Sequence, residues 1–197
     1  MKKCTIMVGL AAAILSVLPS FAQSVSWQID PNHSTAQFVV RHMGISNVQG
    51  DFTKVTGTVQ LDEQDISKSS VAASIDISSV DTRVQNRDND LKSDHFFDVA
   101  KYPTMTFQST KIWKTGDGTA KMTGNLMLHG VTKEVTFDVT GPTKAIQAMG
   151  AMRRGASASA KIVRQDFGLT YDSKIPGGDQ VIGDEVAITL DVEMVKK

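Results

Sequence analysis

From Val186 to Met194 every second residue is apolar: Val186, Ile188, Leu190, Val192 and Met194 alternate with Ala187, Thr189, Asp191 and Glu193. Residues two apart share a face only in an extended strand, so this segment turns an oily side inward and a mostly polar side to water. The same period recurs in Ala36, Phe38 and Val40, in Val59 and Leu61, and in Val71, Ala73, Ile75 and Ile77. It continues in Met105 and Phe107, in Met122, Gly124, Leu126 and Leu128, in Val135, Phe137 and Val139, and in Ala156, Ala158, Ala160 and Ile162. With a short leading strand at Trp27 to Asp30, the pattern predicts eight long strands. Turn chemistry at Asp30-Pro31-Asn32, Asp62 to Ser69, Gly116-Asp117-Gly118, His129-Gly130, Gly141-Pro142 and Pro176-Gly177-Gly178 separates them, mostly at hairpin distance. One segment breaks the rhythm. Asn86 to Val99 reads as a helix, with Asp88 and Asp90 favouring its start, Ser93 able to cap a second turn carrying Phe96 and Phe97, and Tyr102-Pro103 ending it. Many similar strands with short links make a sandwich or a barrel, and closure leaves no edge exposed.

The amino end stands outside this pattern. Lys2 and Lys3 precede an uncharged apolar run from Ile6 to Leu18, and Ser20-Phe21-Ala22 supplies small residues before a cleavage point. Residues 1–22 are therefore expected to be a signal peptide and residues 23–197 the exported domain, periplasmic or secreted. The single cysteine, Cys4, falls in the leader, so the domain carries no disulfide and holds itself together by its core. With 21 basic and 21 acidic residues the chain gives no electrostatic reason to bind nucleic acid or an anionic membrane.

Residue size on the inward face separates a packed core from a hollow one. Ala156, Ala158 and Ala160 share a strand, and Ala36, Ala73 and Gly124 add further small positions. An eight-stranded barrel is wide enough either to be filled by side chains or to hold one small ligand, and small inner residues favour the second outcome. The competing arrangement has Phe38, Phe52, Phe107 and Phe137 packing opposite the alanines to fill the space. An open tube lined this way suits a long apolar chain, since each methylene withdrawn from water gains about 0.8 kcal/mol. The expected lining is Phe38, Val40, Phe52, Val59, Leu61, Ile75, Met105 and Phe107 from the first half of the domain. Met122, Leu126, Leu128, Phe137, Ala156, Ala158, Ile162 and Ile188 complete it. His42, inward by strand parity and near a strand end, and Arg87, beside the helix, are placed at the mouth against a head group.

The order and spacing of several motifs resemble the YceI-like family of exported polyisoprenoid-binding proteins. They are Trp27-Gln28-Ile29-Asp30 with His33-Ser34, Phe38 and Arg41-His42; Gly50-Asp51-Phe52; and Arg87-Asp88 through Leu91-Lys92-Ser93, Phe96-Phe97-Asp98-Val99, Tyr102-Pro103 and Phe107. Gly124, Leu126, Leu128, Gly130-Val131-Thr132-Lys133, Val135, Asp166-Phe167-Gly168-Leu169 and Gly183-Asp184-Glu185-Val186 continue the likeness. The resemblance implies an all-β fold: an eight-stranded antiparallel lipocalin-like β-barrel with one short helical segment. It also implies a tunnel for a polyisoprenoid or another long-chain amphiphile, and no catalysis. An isoprenoid or quinone-type lipid is then the bound molecule, and a homodimer stays open.

Other chemistry is less well supported. His33, His42, His95 and His129 lack the close spacing of a metal site. Arg83 and Lys92 read as solvated charge, and Asp88, Asp90, Asp94 and Asp98 lack the loop pattern of a calcium site. Ser34 beside His33 has no nucleophile elbow, and Asp166-Phe167-Gly168 has no accompanying phosphate loop. Met149, Met152 and Arg153-Arg154 read as an adaptable loop leading into the alanine strand. The alternatives to a carrier are a stress-related structural barrel with a filled core, an enzyme acting on a lipid-like substrate in the same bore, and an outer-membrane barrel. The scarcity of aromatics argues against the last.

Overall fold

The computed structural model describes residues 24–177 and 180–197. The expected signal peptide, with Cys4, lies outside the described residues. The alternating segments form β1 (Val25–Ile29), β2 (Thr35–His42), β3 (Ser46–Phe52), β4 (Val55–Leu61), β5 (Ser70–Asp76) and β6 (Val80–Asp81). The second half supplies β7 (Thr104–Gly116), β8 (Thr119–Leu128), β9 (Val131–Thr140), β10 (Ile146–Ala148), β11 (Ala151–Val163) and β12 (Ile182–Lys196), and one helix, α1 (Gln85–Lys92), interrupts the series.

The strands β11, β9, β8, β7, β5, β4, β1 and β12 follow one another through antiparallel pairing, and β12 returns to β11 to close a barrel of eight staves. Closure is extensive, since β11 and β12 stay in register from Val163↔Glu185 to Arg153↔Val195. On its other edge β12 pairs first with β2, from Ile182↔His42 to Asp191↔Thr35, and then with β1 at Met194↔Ile29. β1 and β2 therefore lie end to end as one stave broken at Asp30–Pro31–Asn32, and β3 and β4 form a second broken stave pairing β6 and β5. These breaks explain why the alternation reads as short runs early in the chain and as long ones after Thr104.

The helix is shorter than the sequence predicts. α1 ends at Lys92, because Ser93 takes an extended conformation as its C-terminal cap and donates its N–H to the Asp90 carbonyl. The chain then curls back, with Phe97 N–H on the Leu91 carbonyl, Asp98 N–H on the Ser93 carbonyl and Asp98 itself at φ 45°. A continued helix would point Phe96 and Phe97 about 100° apart, whereas the turn lowers Phe97 onto Phe52 at 5.8 Å and Phe96 onto Tyr171 at 4.8 Å. Asp88 does belong to the first turn, but it is buried and accepts from the Thr82 N–H at 2.8 Å and hydroxyl at 2.6 Å. Asp90 pairs with His95.

One small inward position and one loop differ from expectation. Gly124 leaves no space, because the Phe107 ring packs against it: a Cβ there would fall 2.4 Å from Phe107 Cζ and 2.4 Å from the Gln108 carbonyl. Gly50 receives the Phe38 ring in the same way, with a Cβ 2.4 Å from Phe38 Cζ. Met149 to Arg154 is not a loop into the alanine strand. Met149 tips the β10–β11 hairpin, and Met152, Arg153 and Arg154 are already within β11.

On the outside, Asp30 Oδ2 accepts from His33 Nδ1 and Arg153 Nη1, both at 2.9 Å, and Arg153 Nη1 also donates to Glu193. This clasp joins the β1–β2 break to β11 and β12. Hydrogen bonds from His33, then Arg153, then the Asn32 N–H hold the Asp30 carboxyl at about 2, well under its ordinary 3.8. The folded chain thus binds fewer protons than the unfolded one in this range, so the stabilisation is complete above about pH 4 and is lost as pH falls toward 2. Asp30→Asn is expected to flatten the pH dependence of the thermal midpoint across that window. A variant whose acid profile matched the parent's would remove Asp30 from the account.

Candidate functional site

The interior is a tunnel of about 470 Å³ whose wall is almost wholly apolar. Its shape follows from the barrel. Ten residue steps of β11–β12 register at about 3.4 Å each, tilted by roughly 40°, give a bore on the order of 25 Å long. Every inward residue of β12, from Val186 through Ile188, Leu190 and Val192 to Met194, faces it.

The tunnel wall holds all of the positions that the sequence pattern assigns to it. Phe38, Val40, Phe52, Val59, Leu61, Ile75, Met105 and Phe107 lie on one half of the wall. Met122, Leu126, Leu128, Phe137, Ala156, Ala158, Ile162 and Ile188 lie on the other, and His42 and Arg87 reach it at one end. The aromatics pair along the wall and do not plug it: Phe38 meets Phe52 at 5.7 Å and Phe107 meets Phe137 at 5.2 Å. Ala156 and Ala158 of β11 thereby keep the lumen open.

The two ends differ. At one, Arg41, Asp90 and Tyr171 are wall residues that are also exposed, so the tunnel reaches the surface there. Leu91, Phe96 and Phe97 from the helix and its following turn, with Leu169 and Tyr171, form the cap over this mouth. Arg87 is held in place by donating from Nε to the Thr82 hydroxyl at 2.7 Å and from Nη2 to the Thr82 carbonyl at 2.8 Å. At the other end Ile66, Ser69, Gly141 and Pro142 line the wall, and Trp27, 2% exposed, is buried in the core beside Arg154. Arg154 stacks on the Trp27 ring at 5.0 Å and pairs with Glu63 at 2.6 Å, an inward-facing cation that the alternation alone marks only as a polar exception.

The cap depends on one buried cation that sequence reading missed. Arg164, 4% exposed, begins the 3-10 turn Arg164–Phe167 that Gly168 ends at φ 76°. Its guanidinium donates to the carbonyls of Leu169 at 2.6 Å, Tyr171 at 2.9 Å, Gly183 at 3.1 Å and Ile182 at 3.2 Å, and pairs with Asp184 at 3.0 Å. Both ends of the loop over the mouth are thus fastened to one side chain. Within this turn the Asp166-Phe167-Gly168 triplet has a structural part, with Phe167 buried in the core.

The remaining polar candidates do not line the bore. Ser34 is buried and exchanges hydrogen bonds with the Glu193 backbone, and His129 packs edge-on against Tyr102 at 4.5 Å. Asp30, His33 and Glu193 bring ligand-type atoms within 4.8 Å of one another, but Arg153 bonds both carboxylates in the same space. No helix among the described residues is long and apolar enough to cross a membrane.

Comparison with known proteins adds an independent line. The YceI-like domain model matches residues 27–194. A UPF0312 protein from Vibrio parahaemolyticus is 34% identical over 199 residues, covering 100% of both chains. The crystal structure of a Campylobacter jejuni YCEI protein is 33% identical with a TM-score of 0.69, over 80% of this chain and 90% of that one. A polyisoprenoid-binding domain from Saccharophagus degradans shares the fold alone, at 16% identity and a TM-score of 0.64, over 88% of this chain and 99% of that one. The family model spans the barrel from the first stave to the last, and with relatives more than 30% identical beside it the chain belongs to the YceI-like family.

Proposed function

We propose that this chain is an exported, non-catalytic carrier that sequesters one polyisoprenoid, quinone-type or comparable long-chain lipid in the barrel, with its head group at the mouth beside His42 and Arg87. The observation that carries this reading is the apolar tunnel. A lumen of about 470 Å³ with so apolar a wall is unfavourable to leave unfilled. Water is a poor filler because the wall offers it few partners. A hydrocarbon chain needs no partners and gains about 0.8 kcal/mol for each methylene it brings out of water.

The volume also falls in the range of specific small-molecule sites, and the polar groups that could orient a ligand are gathered at the open end. The polyisoprenoid-binding description of the Saccharophagus degradans domain agrees with this reading. A barrel with a filled core does not account for the tunnel. Export rests on the amino-terminal leader pattern. The test is to purify the full chain without detergent from its native compartment, extract it with organic solvent and analyse the extract by mass spectrometry. A long-chain lipid near one per protein is expected. Repeated extracts without one, together with failure to take up an offered polyprenol, would contradict the proposal.

A further inference from the structure

The mouth gathers the polar groups, whereas the far end of the bore limits how much chain can follow them in. There the loop from Asp62 to Ser69 joins β4 to β5, turns against β7 and brings Ile66, half-buried, onto the tunnel wall. The loop is held at several points. Asp62 Oδ1 accepts from the Gln64 and Asp65 N–H groups, both at 2.9 Å, and the Asp62 N–H donates to the Ser69 hydroxyl at 2.9 Å. Asp65 caps the 3-10 turn Ile66–Lys68 by accepting from the Ser67 N–H at 3.1 Å, and Glu63 pairs with Arg154 of β11 at 2.6 Å. Leu61, Ser69, Ile112 and Met194, wall residues at this end, are buried, in contrast to the exposed Arg41, Asp90 and Tyr171 at the mouth. The turn carrying Ile66 is therefore a fixed floor.

A tube with a fixed floor measures what enters it. An extended hydrocarbon advances about 1.25 Å per carbon, the projection of a roughly 1.5 Å bond opened to about 111°, so a bore on the order of 25 Å takes about twenty carbons. An eight-stranded barrel has room across it for about one small ligand. The Phe38–Phe52 and Phe107–Phe137 pairs along the wall narrow that room further, so a chain lies extended and does not double back.

From the fixed turn and the length of the bore we propose that Ile66 is the stop of a hydrocarbon ruler, and that the protein selects a single chain of about twenty carbons, unbranched or as about five isoprene units. A longer chain leaves its remainder in water at the mouth, and a shorter one leaves the floor bare. The inference rests on the carrier reading and adds chain length to it. Lys68 provides the control, because it belongs to the same turn but is exposed and does not line the tunnel.

The experiment equilibrates the full chain with phosphatidylcholine vesicles that carry an equimolar ladder of unbranched primary alcohols, recovers the protein and measures the bound alcohols by mass spectrometry. Bilayer and bore both shelter methylenes, so hydrophobicity cancels and fit decides. Each methylene held in water beyond the mouth should lower the bound share about fourfold. With a ladder from about 12 to about 30 carbons, a maximum near about twenty is expected. Ile66→Ala, which removes most of the stop, should move the maximum up by about two carbons, and Ile66→Trp should move it down by about as much. Lys68→Ala should leave it in place. The opposite shifts separate a stop from a turn that has merely loosened, which would lengthen the range in both Ile66 variants. The proposal is overturned if the bound share rises to the top of the ladder, if either folded Ile66 variant keeps the parent's maximum, or if Lys68→Ala moves it as Ile66→Ala does. Binding without a maximum would strike the ruler alone. A protein that takes up no alcohol and holds no lipid as purified would strike the carrier reading, and the ruler with it.

Discussion

Ala158→Trp is expected to abolish uptake of a long-chain lipid while leaving the barrel folded. Ala158 sits midway along β11, between Val139 on β9 and Leu190 on β12, and faces the tunnel. An indole there occupies the lumen at its middle, so a chain can no longer run from mouth to floor. Overpacking a solid core costs about 1–3 kcal/mol, but here the added atoms enter space already open, so the thermal midpoint should hold or rise. Uptake of a fluorescent polyprenol analogue should fall at least about tenfold, the factor set by roughly 1.4 kcal/mol and thus by the loss of only two buried methylenes. Unchanged uptake with the indole in place would put the ligand elsewhere.

Arg164→Met is expected to produce the largest loss of stability of any single change considered. The substitution keeps an unbranched apolar stem while removing the donors to four backbone carbonyls and the partner of Asp184. Each buried acceptor left unpaired costs about 1–3 kcal/mol, so even with some groups rescued by water the total should reach about 3 kcal/mol or more. Chemical denaturation measures the sum. Hydrogen exchange locates it, with the amides of residues 169–171 and 182–183 expected to lose protection before those of β7 to β9. A loss under about 1 kcal/mol would show that the loop over the mouth is held by something other than this cation.

The walls of the bore were legible because strand parity is a local property. Once Val186 to Met194 alternates, burial of one face follows without knowledge of any partner, and the alanines of β11 announce space on that face. What was not legible depends on where chain segments meet. Gly124 looked like a gap, yet Phe107 covers it from the neighbouring strand, a contact set by register that neither segment declares. The helix stops at Lys92 because Phe97 is needed against Phe52, a residue far away in sequence.

Arg154 and Arg164 were missed for a related reason. A lone arginine in an extended or turn segment reads as solvated charge, and its burial becomes visible only when Trp27 and Glu63, or four separate carbonyls, converge on it. The one signal available was Arg154 itself, which takes the inward parity of Ala156 and Ala158 in a strand whose other inward residues are apolar.

The most direct measurement is diffraction from crystals of the protein purified natively and never exposed to detergent. Continuous tubular density is predicted along the axis, passing Ala158 and Phe38 and ending in a bulkier feature beside His42 and Arg87. A lumen that holds only scattered water, or one closed by the side chains of Phe107, Phe137 and Met122, would contradict the account.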